Sequence, residues 1–342
     1  MKPSTSDDIF VLIDSFGISA AVGAAMETGL FWLLAQQPLN TQSVAHELNI
    51  PHNRCRVWLQ MLCSYGLLEQ TNTVYVPSST AQTAILDAYS QDTWAFLALE
   101  SRERVPAVRD LAQNIHVSGS VWDVLGLSPP DYFRNLQENP VRARQFTRML
   151  YEIHQPLATA LAASLDMQGV DRMLDLGGGS GVMSFALLRR HPQLTAVVFD
   201  IHNVCAAGRE IARENALGDR VTYQSGDFIH DELPSGFDLV LDCDVGPYTE
   251  TMLRKIRSTL NPGGRLVIVE KFAPSKEAVH PTRLHWAFLS SMENPDRTGT
   301  TAPEVENLLT KTGFEILSTQ TLSSGESQRW SNGWIMIEAR KV

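Results

Sequence analysis

The stretch Met173-Leu174-Asp175-Leu176-Gly177-Gly178-Gly179-Ser180-Gly181 constrains this chain more than any other. It reads as an apolar strand end, a carboxylate, glycines at alternating positions and then a helix over Val182 to Arg190. Glycines there allow a tight turn and let backbone approach a ligand closely. The spacing D-x-G-x-G-x-G departs from the dinucleotide pattern G-x-G-x-x-G. The acid precedes the turn instead of lying on the next strand, and Val182 stands where the third dinucleotide glycine would be. An acid beside the turn suits a cationic ligand better than a pyrophosphate. A plain glycine-rich strand-to-helix turn would look the same in isolation, so the residues that follow decide.

The next apolar strand, Thr195 to Phe199, ends in Asp200-Ile201, where a doubly wound sheet holds a ribose diol. A helix over about Val204 to Asn215 leads to the strand Arg220 to Gln224 and then Gly226-Asp227-Phe228. That acid and aromatic suit an adenine amine and its ring. Phe237 to Asp242 reads as a fourth strand, followed by a helix to Leu260, the turn Asn261-Pro262-Gly263-Gly264 and a fifth strand to Glu270. With these signals in this order, the chain resembles the class I S-adenosylmethionine (SAM)-dependent methyltransferases. The resemblance implies an α/β fold with a doubly wound, Rossmann-like domain. It implies SAM as cofactor, held by Asp175, Gly177, Gly179, Gly181, Asp200, Ile201, Asp227, Phe228, Asp242 and Cys243.

A length of 342 residues predicts about two domains, and 44% hydrophobic content allows a sizeable core. A net charge of −10 argues against nucleic acid and anionic membrane partners. Cys55, Cys63, Cys205 and Cys243 have no metal or C-x-x-C spacing, so reduced thiols in a cytoplasmic enzyme and no metal are the expectation. Neither an apolar leader nor a membrane-spanning run is visible.

Toward the N-terminus, residues 9–37 are apolar at helical spacing, and Gly17 to Ala25 is nearly all small, which suits a helix-helix or subunit seam. Thr41 is the expected cap of a short helix; a second helix over about Pro51 to Tyr65 closes at Gly66, and a hairpin turns at Asn72. Helix, turn, helix and two-stranded wing make a winged helix. A ligand-sensing DNA-binding regulator is thus an alternative, with Arg54 and Arg56 on the would-be recognition helix. Val57, Trp58, Leu59, Met61 and Leu62 make that helix largely core, and the chain is acidic, which counts against DNA. The residues Gly29-Leu30-Phe31, Asn40-Thr41 and Cys63-Ser64-Tyr65-Gly66-Leu67-Leu68 resemble the dimerisation domain of the small-molecule O-methyltransferases, the plant caffeate type and their bacterial natural-product and pigment relatives. That resemblance spans nearly the whole chain, including the C-terminal Trp334 to Ala339. It implies a homodimer built through a winged-helix domain (1–80), a helical linker roofing the substrate pocket (81–165) and the SAM domain (166–342). Aromatics such as Trp94, Trp122 and Tyr132 populate the linker. Phe146, Met149, His154 and Phe288 are the candidate pocket wall, which suits a flat or apolar acceptor.

One motif breaks. The family carries its base as a His in a His-Asp-Trp motif after the fourth strand, whereas this chain has Asp242-Cys243-Asp244-Val245-Gly246-Pro247-Tyr248-Thr249-Glu250, a segment that looks shorter. Tyr248, Asp244 and His285 are the candidate replacements. His280 and His285 with Asp244 lack ordered metal spacing. The altered loop favours transfer by alignment without a base, to an oxygen, carbon or nitrogen acceptor on a small, aromatic or otherwise unsaturated metabolite. A relative that keeps SAM for non-methylating chemistry is the other alternative.

Overall fold

The computed structural model describes residues 3–129, 132–246, 248–275, 277–322 and 333–342, and leaves the side chains of Tyr132 and Thr282 undescribed. Pro247 of the altered loop and the Tyr132 ring of the linker therefore fall outside the described residues. The chain divides into two compact units, Met1–Pro106 and Ala107–Val342, so the division falls inside the helical segment expected over 81–165.

In the first unit the apolar N-terminal region forms three helices, Ser6–Ile13, Ser15–Glu27 and Leu30–Gln36. Gly29 separates the last two at φ +72, a left-handed turn that glycine takes without strain. Two further helices, Thr41–Glu47 and His52–Ser64, precede the hairpin β2 (Leu68–Thr71) and β3 (Val74–Pro77). The short β1 (Leu39–Asn40) adds to β3, giving the order β1-β3-β2. The cap of the first of these helices is Asn40, whose side chain accepts from the Ser43 amide at 2.9 Å, and not Thr41. Asn40 has the extended backbone of a cap residue, while Thr41 is already helical. Gly23 packs toward Ala98 of the helix Gln91–Glu103, and Gly17 toward Met61. The small-residue run thus serves a seam inside this unit.

The second unit holds a seven-stranded sheet built from β4 (Arg172–Leu176), β5 (Thr195–Asp200), β6 (Val221–Ser225), β7 (Phe237–Cys243), β8 (Leu260–Glu270), β9 (Phe314–Leu322) and β10 (Trp334–Lys341). The order is β6-β5-β4-β7-β8-β10-β9, with β10 antiparallel to both neighbours. Alternate residues feed opposite layers. Met173, Leu239, Leu241, Val267 and Val269 enter one core, while Leu174, Leu176, Val240, Leu266 and Ile268 enter the other. Both faces are therefore covered, as a parallel sheet requires. The expected turn at Asn261–Gly264 is absorbed into β8, with Gly263 at φ +75 and a register shift against β7. The order reverses between β4 and β7, whose carboxyl ends flank the switch point where such sheets bind ligands.

Candidate active site

The glycine turn leaves β4 and enters the helix Val182–Arg190, with Gly177, Gly179 and Gly181 at φ +62, +56 and +80. Three of its glycines are demanded by the protein itself. A Cβ at Gly177 would lie 2.8 Å from Val245, one at Gly178 2.4 Å from the Asp175 carboxyl, and one at Gly181 2.7 Å from the Tyr223 hydroxyl. Gly179 differs: a Cβ there meets nothing within 4 Å. The turn thus presents open space at Gly179, a cradle for a ligand. Gly208, on the helix His202–Glu214, lets that helix approach: its Cβ would come 2.9 Å from the Gly179 carbonyl.

Two acids brace the turn. Asp175 is buried and accepts a 2.6 Å hydrogen bond from the Ser184 hydroxyl. Burial pushes its carboxyl up to about 6 against that bond, with Asp200 adding repulsion. Asp200 accepts from the Gly179 amide at 2.9 Å and from its own neighbour Ile201 at 2.7 Å, and burial raises it likewise to about 6. A cationic ligand beside either would draw it back toward the ionised form. Beyond Asp200 a cleft of about 320 Å³ is lined by Ile201, Asn203, Gly226 and Asp227, among others. Asp227 accepts from the Ile229 amide and lies 2.7 Å from His230 Nδ1, which holds its carboxyl low. Phe228 packs on the core cluster containing Phe199 and Phe237, so its side chain serves the fold there.

A second constellation forms at the ends of β7 and β8. Asp242 is buried, and its carboxyl is pushed up to about 7 by burial, with the Tyr248 hydrogen bond opposing and Asp244 reinforcing. The Tyr248 hydroxyl donates to Asp242 at 3.3 Å and to Glu270 at 3.4 Å. Burial and these carboxyls drive Tyr248 far above the usual phenol range. It stays protonated and is a poor base. Asp244 sits at φ +59, rare for a residue with a side chain. Arg283 donates to it at 2.6 Å and lies 3.1 Å from Glu270. Burial raises Glu270, and its side-chain bond with Asp244 reinforces the shift while Arg283 opposes it. Cys243 is half-buried, its thiol pushed up by burial and the surrounding acids.

Phe146 and Met149 are buried on the helix Pro140–Ile153, and His154 caps it. The His154 ring meets Trp334 edge-on at 6.0 Å, while Lys271 Nζ stands 4.8 Å over that indole. His285 and Phe288 stand exposed on the helix Leu284–Ser291, which has no buried residue. Arg283, two residues before His285, is the side chain that reaches Asp244 and Glu270.

The sequence reading found the acids and glycines but missed Ser184, Gly208, Glu270, Lys271 and Arg283. Only Glu270 carried a local signal, as an acid at a strand tip. The others matter through partners distant in sequence.

A family model described as an O-methyltransferase domain matches residues 108–315, and one described as an O-methyltransferase dimerisation domain matches 10–87. A 3-hydroxy-5-methyl-1-naphthoate 3-O-methyltransferase of Streptomyces sahachiroi is 32% identical over 253 residues, 72% of each chain. An N,N-dimethyltransferase, OxyT, of Streptomyces rimosus is 26% identical over 321 residues, 92% of each chain. The solved mitomycin 7-O-methyltransferase MmcR superposes with a TM-score of 0.82 at 20% identity, covering 98% of both chains. With a Rossmann-like sheet, an open glycine cradle and these matches, the chain belongs to the O-methyltransferase family and is a SAM-dependent methyltransferase.

Proposed function

We propose that this enzyme methylates a small aromatic natural product and works in the cytoplasm as a homodimer. The cradle at Gly179 carries the reading, because it is the one position in the turn whose bareness no protein neighbour explains. The 3-hydroxy-5-methyl-1-naphthoate in the Streptomyces sahachiroi relative's name supports the substrate class. SAM supplies an electrophilic methyl carbon on sulfur. The chain's own residues hold and align. Gly179 leaves room for the methionine end, while Asp200 and the cleft beside Ile201 and Asp227 take the adenosine. Tyr248 is a fixed hydroxyl donor, and Asp244 is held by Arg283. Incubating the protein with SAM and a panel of aromatic hydroxyl, amine and carbon acceptors is expected to yield a product heavier by one methyl group.

Gly179→Val places its Cβ where no protein atom lies within 4 Å, at a left-handed φ of +56. By calorimetry it should weaken SAM and S-adenosylhomocysteine at least about tenfold, roughly 1.4 kcal/mol, alongside the left-handed backbone cost of about 1–2 kcal/mol in stability. Unchanged affinity would refute the assignment of the cradle.

The homodimer draws support from the N-terminal helix Ser6–Ile13, which buries no residue and exposes Ile9, Phe10, Val11, Leu12 and Ile13, with Phe16 beyond it 75% exposed. An apolar patch of this extent marks an interface. Among the described residues no single helix is long and apolar enough to cross a membrane. Sedimentation is expected at twice the 37.9 kDa chain mass, and Phe16→Asp should shift the equilibrium toward the single chain. A wild-type protein sedimenting at one chain mass at micromolar concentration would exclude the dimer.

A further inference from the structure

His154 sits at the junction of the helices Pro140–Ile153 and Gln155–Ser164. It is only 9% exposed. Among the described residues its ring nitrogens have no hydrogen-bond partner, and its ring meets that of Trp334 at 83°, in a T-shaped contact. Its ring nitrogens are not among the sealed, unpaired polar atoms of the described residues, so they keep a path to solvent. Lys271 after β8 and Arg283 stand over the Trp334 ring that His154 meets, and Arg283 in turn donates to Asp244 after β7. These are the strand ends where the family's missing base would have stood. Val245, next to Asp244, leans on Gly177 of the cofactor turn.

We propose that His154 takes the part of the missing histidine, as a neutral imidazole that accepts the proton of an aromatic hydroxyl on the acceptor, with Asp244 offsetting the imidazolium that results. The inference rests on the methyltransferase reading and narrows its acceptor to a hydroxyl. The acceptor oxygen bonds to the methyl carbon, and the carbon–sulfur bond breaks with its electron pair left on sulfur. The oxygen's proton passes to the imidazole nitrogen and leaves to solvent with product release. An ammonium acceptor would meet Lys271 and Arg283, two cations, whereas a hydroxyl finds an open acceptor nitrogen. Burial holds the imidazole low, at about 4, with Asp244 pulling up and Lys271 and Arg283 pushing down. The ring is therefore unprotonated at neutral pH, and a histidine limb in the rate profile belongs well below the ~6.5 of free imidazole.

The test uses S-adenosylhomocysteine-loaded protein with 15N-labelled histidine, and 2-naphthol against naphthalene as probes. Calorimetry should show 2-naphthol binding about tenfold tighter than naphthalene, and the His154 nitrogen resonance should shift with 2-naphthol alone. His154→Phe should erase the preference. His154→Gln keeps an acceptor oxygen, so it should retain the binding preference. With methyl-labelled SAM, its transfer to 2-naphthol should fall roughly 10²–10⁴-fold in kcat with little change in KM. Equal binding of the two probes, an unmoved His154 resonance, an unmethylated 2-naphthol or an undiminished His154→Gln each overturns the proposal. The wild-type resonance decides even if a variant misfolds. Failure of S-adenosylhomocysteine to bind at all would instead remove the methyltransferase reading beneath it.

Discussion

Gly181→Ala is expected to melt roughly 4–20 °C below the wild type, since about 2–5 kcal/mol at 2–4 °C per kcal/mol is lost from a unit of this size. Two effects add. The residue sits at φ +80, where an L side chain costs about 1–2 kcal/mol. Its new methyl would also lie 2.7 Å from the Tyr223 hydroxyl and 2.9 Å from Phe185. Neither neighbour yields easily: Tyr223 is buried and donates to the Ser180 carbonyl at 2.7 Å, and Phe185 is fully buried. Overpacking of this kind costs about 1–3 kcal/mol. Gly179→Ala carries only the left-handed penalty, so it should melt several degrees higher than Gly181→Ala while binding SAM poorly. Thermal scans of the two variants decide the matter, and identical melting would mean that the turn is not packed as described.

Asp242→Asn is expected to raise the stability of the ligand-free protein at pH 8 by on the order of 4 kcal/mol, or about 8–16 °C. The native carboxyl is pushed up from 3.8 to about 7, first by burial. A raised acid favours the fold while it stays protonated. Its stabilising contribution is complete below about pH 4 and is lost as pH rises through about 7, because the unfolded chain ionises first. Asn never ionises, and its side-chain oxygen still accepts from Tyr248. The advantage of the variant should therefore grow from pH 5 to pH 8. Melting curves for wild type and variant that stay parallel across that range would show that Asp242 is not a strained acid.

The sequence determined the parts that depend on local geometry. Asp175 and the alternating glycines announced a strand-to-helix turn, and the structure places them in one. Asp200 stood at the next strand tip and indeed takes the Gly179 amide. The reading that the family histidine is missing rested likewise on residue types alone. Other parts depended on partners far along the chain. Sequence offered His285 beside Tyr248 and Asp244 as a candidate base, yet the fold leaves it exposed and brings Arg283 onto Asp244 and Glu270, which no spacing rule links. Asp227 lines the cleft while Phe228, partly buried, packs against the core cluster beside it, a placement no local pattern gives. His154 read as one pocket-wall residue among several, and the altered loop read as transfer without a base. Only the tertiary structure distinguishes it: among the described residues its ring nitrogens have no hydrogen-bond partner, and its ring meets that of Trp334, over which Lys271 and Arg283 stand. Backbone turns follow from the conformational freedom of neighbouring residues and so are written locally. Charge environments follow from what the fold packs together across the sheet, and only the folded chain sets them.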